Sequence, residues 1–128
     1  MHRFLCTLLL AAFALGQAQA ETRFLAAFDD VPLAPGLSER ADAAFAFASG
    51  EGRIAETSAA GQGGEAAVRA WYAEALPALG WARQNPSEDD LTFVRGRERL
   101  TLAFATGPDG ALTVRFRLVA RPASLALD

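Results

Sequence analysis

Two short runs of acids are the residues with the most chemistry to offer: Asp29-Asp30 and Glu88-Asp89-Asp90. A pair of carboxylates held about 5–9.5 Å apart across a cleft can act as general acid and base on a glycosidic bond. Oxygen-rich runs can also ligate calcium, but a calcium loop alternates its ligands and places a glycine at a set position, and neither run does so. Adjacent acids in a polar turn are more often solvated charge. No catalytic residue, metal ligand or cofactor site is assigned from them.

Arginine supplies the second feature. The chain contains twelve basic residues, all arginine, against fifteen acids, a net charge of −3. The balance is uneven along the sequence. Residues 21–90 carry twelve acids and five arginines, a net −7, whereas residues 91–128 carry three acids and six arginines, a net +3. Arg95, Arg97 and Arg99 are spaced by two, as are Arg115 and Arg117, so paired strands would gather guanidinium groups on one sheet face. Guanidinium forks match carboxylate and phosphate geometry. Arg97, Arg99, Arg115 and Arg117 are therefore the candidate binding residues, with an anionic envelope ligand or an acidic protein surface as partner. The competing reading is a solvated sheet face. The mild negative charge gives no long-range steering toward nucleic acid, which is not an expected partner.

What is missing narrows the chemistry further. His2, Cys6 and Met1 are the sole residues of their types, and there is no lysine. All three lie in residues 1–20, which have the plan of a secretory signal. Arg3 is the basic start, Phe4–Leu15 an apolar run, and Gln17-Ala18-Gln19-Ala20 ends in the small residues that signal peptidase requires. The apolar run is too short to span a bilayer, so no transmembrane segment is expected after cleavage following Ala20. A mature chain from Glu21 would have no Ser–His–Asp triad, no Cys–His pair, no Schiff-base lysine, and no histidine, cysteine or methionine for zinc, haem or copper. The glycines of Gly61-Gln62-Gly63-Gly64 lack the spacing and strand context of a nucleotide loop. No cofactor is expected, and the expected location is periplasmic or secreted.

The elements that would position these groups are legible in outline. Residues 21–42 read as an irregular arm, made stiff by Pro32 and Pro35 and anchored by Val31, Leu33 and Leu37. Residues 43–121 read as one domain. Ala43–Ser49 alternates Phe45 and Phe47 with alanines, as a strand does, and Ser49-Gly50-Glu51-Gly52 turns it back into Arg53–Ala59. A helix begins near Glu65, with Val68, Trp71, Tyr72, Ala75, Leu76 and Leu79 on one stripe. Glu65 and Arg69 are spaced to pair across one turn, and Gly64 is a weak cap. Pro77 is expected to end or kink the helix, and Gly80 to take a left-handed conformation after it. Trp71 and Tyr72 are expected in the core, whereas Trp81, at a helix-to-strand junction, is expected to be partly exposed.

An antiparallel run follows. It comprises a short strand from Trp81, the polar turn Asn85–Asp90, Leu91–Arg95, a strand alternating Leu100, Leu102 and Phe104, the turn Gly107–Gly110, and a strand placing Leu112, Val114, Phe116 and Leu118 on one face. The expected fold is α+β, a two-layer sandwich of one amphipathic helix on an antiparallel sheet in the order ββαβββ. Residues 122–128 read as a loose tail.

Two stretches, Asp30-Val31-Pro32-Leu33-Ala34-Pro35-Gly36-Leu37 and Trp71-Tyr72-Ala73-Glu74-Ala75-Leu76-Pro77-Ala78-Leu79-Gly80-Trp81, resemble segments of small exported proteins of alphaproteobacteria. The resemblance spans most of the mature chain. It implies an envelope location and brings no activity with it. The expectation is a non-catalytic periplasmic binding or protein-interaction module. The alternatives are a small carboxylate-dependent glycan hydrolase or an accessory subunit of an envelope complex. No feature of the sequence sets an oligomeric state.

Overall fold

A computed structural model describes residues 23–84 and 89–122. The proposed signal segment 1–20, residues 123–128 of the 122–128 tail and residues 85–88 of the 85–90 turn lie outside the described residues. The chain is strand-rich α+β. Its elements are β1 (Arg23–Phe24), β2 (Pro32–Leu33), β3 (Leu37–Ser49), β4 (Gly52–Gly61), α1 (Glu65–Ala78), β5 (Ala82–Arg83), β6 (Leu91–Arg95), β7 (Glu98–Thr106) and β8 (Leu112–Ala120). Strands β1 and β2 form a small ribbon, and the other six form one antiparallel sheet in the spatial order β3-β4-β8-β7-β6-β5. Among the described residues four strands of the sheet follow the helix, not the three of the ββαβββ order; the additional one is the short strand expected from Trp81, in which Ala82 and Arg83 pair with Val94 and Phe93.

The core lies between one sheet face and a cover made of α1 and the N-terminal arm. Period-two alternation sends Leu112, Val114, Phe116 and Leu118 of β8 inward, beside Leu100 and Leu102 of β7, Leu91 and Phe93 of β6, and Ala55 and Ala59 of β4. The helix contributes Val68, Tyr72 and Leu76, one residue every fourth along the inner stripe; Trp71 and Ala75 are half-buried and Leu79 is exposed.

The arm is more ordered than the prolines suggest. Leu25, Phe28, Val31 and Ala34 are fully buried, and strand structure resumes at Leu37, well before the expected domain start at residue 43. Hydrogen bonds to Tyr72 and Glu39 help to fix it. The Tyr72 hydroxyl donates to the Pro32 carbonyl (2.9 Å) and accepts from the Ala34 amide (3.1 Å). The Glu39 carboxylate accepts from the Ala26 amide (2.7 Å), the Ala27 amide (3.4 Å) and the buried Thr57 hydroxyl (2.9 Å). Where the arm turns into β3, Gly61 has no room for a side chain: a Cβ there would sit 2.1 Å from the Gly36 carbonyl oxygen.

The helix also departs from expectation at its end. It continues through Pro77 to Ala78, because a proline in the final turn sacrifices one bond, to the Ala73 carbonyl, without breaking the turns behind it. The exit is a Schellman motif. The Gly80 amide bonds to the Pro77 carbonyl (3.1 Å) and the Trp81 amide to the Leu76 carbonyl (3.1 Å), with Gly80 at φ +93°. At the start, Gly64 provides no side-chain cap, as its residue type requires. The turn delivers Trp81 into the core, 1% exposed, which corrects the expectation of a partly exposed ring.

Candidate functional site

The second face of the sheet is where the candidate arginines meet. Strand pairing places Arg115, Ser58 and Ala103 in one cross-strand row, Arg117, Glu56 and Thr101 in the next, and Val119, Ile54 and Arg99 in the third. Residues two apart on one strand stand about 7 Å apart on the same side, so Arg115 and Arg117 are neighbours. Arg99 lies diagonal to Arg117 across the β7–β8 pair, within reach of a long side chain. Arg40 joins the first row by pairing with Ser58. All four arginines are exposed, and none makes an ion pair with a described residue. Within these rows Glu56 is directly opposite Arg117; Glu98 lines the depression at the β6–β7 turn, and Asp42 is exposed in the β3 bulge.

Two shallow depressions mark the face. One, of about 300 Å³, is lined by Ala43, Phe45, Glu56, Ser58, Thr113 and Arg115. The other, of about 260 Å³, is at the β6–β7 turn and is lined by Val94, Arg97, Glu98, Arg99, Val119 and Arg121. Arg97 is therefore not a strand residue of the face. It sits in the tight turn with Gly96, and its carbonyl accepts from the Arg121 amide (3.1 Å), so this turn holds the end of β8. Arg97, Arg99 and Arg121 line the second depression together.

Arg95 breaks the series. Its pairing partner is Glu98, and the alternation that points Arg99 to the open face points Arg95 to the helix side. There its guanidinium lies 4.3 Å from the centre of the Trp81 ring and bonds to Asp30 and to Glu98 (3.0 Å). Partial burial acts to lower its pKa, but the hydrogen bonds and charges of Asp30 and Glu98 outweigh this and raise it. Arg95 thus clamps the arm, the helix exit and the β6–β7 hairpin.

The acid runs fare differently from the arginines. Asp30 is engaged by Arg95 and Asp29 is exposed. Glu88 lies outside the described residues. Asp89 offers its backbone carbonyl to Arg69, which also pairs with Glu65 (3.3 Å) and stacks over Phe104 at 4.3 Å. Neither open-face depression is lined by any of these acids. No group of three or more acidic, histidine or cysteine side chains suited to a metal occurs among the described residues.

Two features of this face were not legible in the residue pattern. Arg40 fell within the presumed arm. Phe45 and Phe47 sit on the open face, 52% and 65% exposed. The cause is a bulge between Arg40 and Phe45, where the β3–β4 register shifts by three residues. An odd insertion exchanges the two faces of a strand, so a segment that would continue Leu37 and Glu39 inward turns outward.

Comparison with family models, with curated proteins and with solved structures found no match to this chain.

Proposed function

We propose that this chain is a non-catalytic binding or protein-interaction module of the cell envelope, whose open sheet face receives an anionic ligand or an acidic protein surface. The observation that carries the reading is the grouping of Arg40, Arg99, Arg115 and Arg117 on one face, with Glu56 opposite Arg117. The sheet fixes the spacing of these arginines, and their guanidinium forks suit carboxylate and phosphate. Arg97 and Arg121 extend the basic surface around the adjoining turn. The envelope location rests on the plan of residues 1–20 and on the resemblance to exported proteins. No described helix is long and apolar enough to cross a membrane.

The test is titration calorimetry with polyglutamate and, separately, polyphosphate, using wild type and the Arg115→Glu/Arg117→Glu variant. Binding by the wild type that weakens steeply with salt and is lost in a folded variant is the expected result. Equal binding by both proteins would remove this face from the function. Capture from envelope extract with the same pair then identifies the natural partner. Loss of capture in the variant is the result that ties the partner to this surface.

A further inference from the structure

Strand β3 forms one end of the sheet, and among the described residues nothing pairs with its outer side. The opposite end is β5, a two-residue strand too short to template another chain. β3 has no such protection over Phe45–Ser49, which contains no charge and no proline. The hairpin loop Gly50-Glu51 closes on the Ser49–Gly52 pair, which must be a hydrogen-bonded pair, since the alternative would require bonds between the two loop residues. By alternation Phe47 and Phe45 bond inward to β4. Ala46 and Ala48 therefore turn their amide and carbonyl groups outward, at the sheet edge.

We propose that a second copy of this chain occupies this edge, with a two-fold axis at Phe47, so that the segment Phe45–Ser49 pairs antiparallel with itself. The segment is bounded on one side by the bulge and on the other by the turn, and its midpoint is Phe47. That register uses every regular residue. Ala46 exchanges both backbone bonds with the partner's Ala48, and the reverse pair does the same. Phe47 faces the partner's Phe47 at a non-hydrogen-bonded position, where side chains approach most closely, and Phe45 lies diagonal to it. No charge opposes a like charge along the paired segment. A slip by two residues would spend one end of the ladder on the bulge or the turn. The two open faces lie on the same side of the joined sheet, so the exposed phenylalanines form one row between two sets of arginines. The contact is small for a protein interface, which implies weak, concentration-dependent association. Pairing at this edge does not depend on anion binding by the open face.

Sedimentation velocity over a concentration series tests it, with circular dichroism to verify that each variant is folded. Wild type is expected to shift from monomer to dimer as concentration rises. Ala46→Pro removes an outward amide and leaves the β3–β4 ladder intact, and it should weaken dimerisation at least about tenfold. Phe47→Lys should do the same through charge repulsion at the axis. In a Cys6→Ser background, Phe47→Cys should cross-link faster on oxidation than Phe45→Cys, because only the first meets itself across the axis. A wild type that stays monomeric throughout overturns the proposal. So does association that survives Ala46→Pro but not Phe47→Lys, which would mean face-to-face stacking of the phenylalanines.

Discussion

Tyr72 shows how much of this small protein depends on single side chains. It is fully buried, meets Trp71 edge-on at 4.9 Å and Phe116 at 5.5 Å, and bonds the arm through both its donor and its acceptor. Burial pushes its pKa well up, and the hydrogen bond from the Ala34 amide offsets only part of that shift. The phenol therefore stays neutral in the folded state where it would ionise in the unfolded one. A folded-state pKa raised above the unfolded value contributes stability that is complete below about pH 10 and lost as pH rises through the folded value. Tyr72 is the sole tyrosine, so tyrosinate absorbance reports on it alone. We predict that melting temperature holds up to about pH 9 and then falls, with the tyrosinate band appearing together with unfolding. In Tyr72→Phe the alkaline fall should flatten; a tyrosinate signal from the still-folded wild type would refute the assignment. Trp81 makes the opposite case, since its Nε1 is buried with no partner among the described residues. Trp81→Phe removes that orphan donor along with some volume, and should cost under about 2 kcal/mol, whereas Trp81→Ala should cost about 3–5 kcal/mol in urea unfolding.

At the scale of elements, the geometry at the helix exit sets where the arm, the helix and the hairpin meet. Gly80 stands at φ +93°, and a Cβ there would make only ordinary contact, 3.5 Å from Arg95 Cδ. Space is thus not the constraint, and Gly80→Ala should destabilise through conformation alone, by about 1–2 kcal/mol in a thermal or urea melt. A neutral result would show that the Schellman exit does not set the stability of this junction. The same junction explains what was readable in advance. The helix stripe, the inner face of β8 and the left-handed Gly80 follow from local periodicity and from glycine's freedom, which act within a few residues. The position of Arg115 and Arg117 on the outer face follows from the same alternation. The direction of Phe45 and Phe47 depended instead on a bulge, and the direction of Arg95 on which residues of the β6–β7 hairpin oppose one another. Both are facts of cross-strand register, which alternation within one segment does not encode. Of the four buried residues of the arm, Val31 was legible as an anchor, whereas Leu25, Phe28 and Ala34 were hidden by the irregular chain that Pro32 and Pro35 suggest. Pro32 sits in a two-residue ribbon, where a missing amide costs little.

For the whole molecule, that arm decides what counts as the domain. One face of the sheet is covered by a single fourteen-residue helix and by residues before Leu37, which bring Leu25, Phe28 and Val31 into the core. Burying such side chains contributes about 1.5–3 kcal/mol each, and three of them approach the entire stability of a typical domain, about 5–15 kcal/mol. The arm also supplies the partners of Tyr72 and Arg95, which its loss would leave buried or unpaired. We therefore predict that a chain beginning at Leu37 fails to unfold cooperatively and binds a hydrophobic dye, while a chain beginning at Glu21 melts in one transition. This bears on export. The proposed cleavage after Ala20 would leave every described arm contact intact, whereas cleavage only five residues further on would remove Leu25. If the proposed signal segment directs export, mass spectrometry of the processed protein should find Glu21 at its N-terminus. A start beyond Leu25 in a stable, folded product would mean that the sheet and helix hold without the arm, and would return the domain boundary to the hairpin at residue 43.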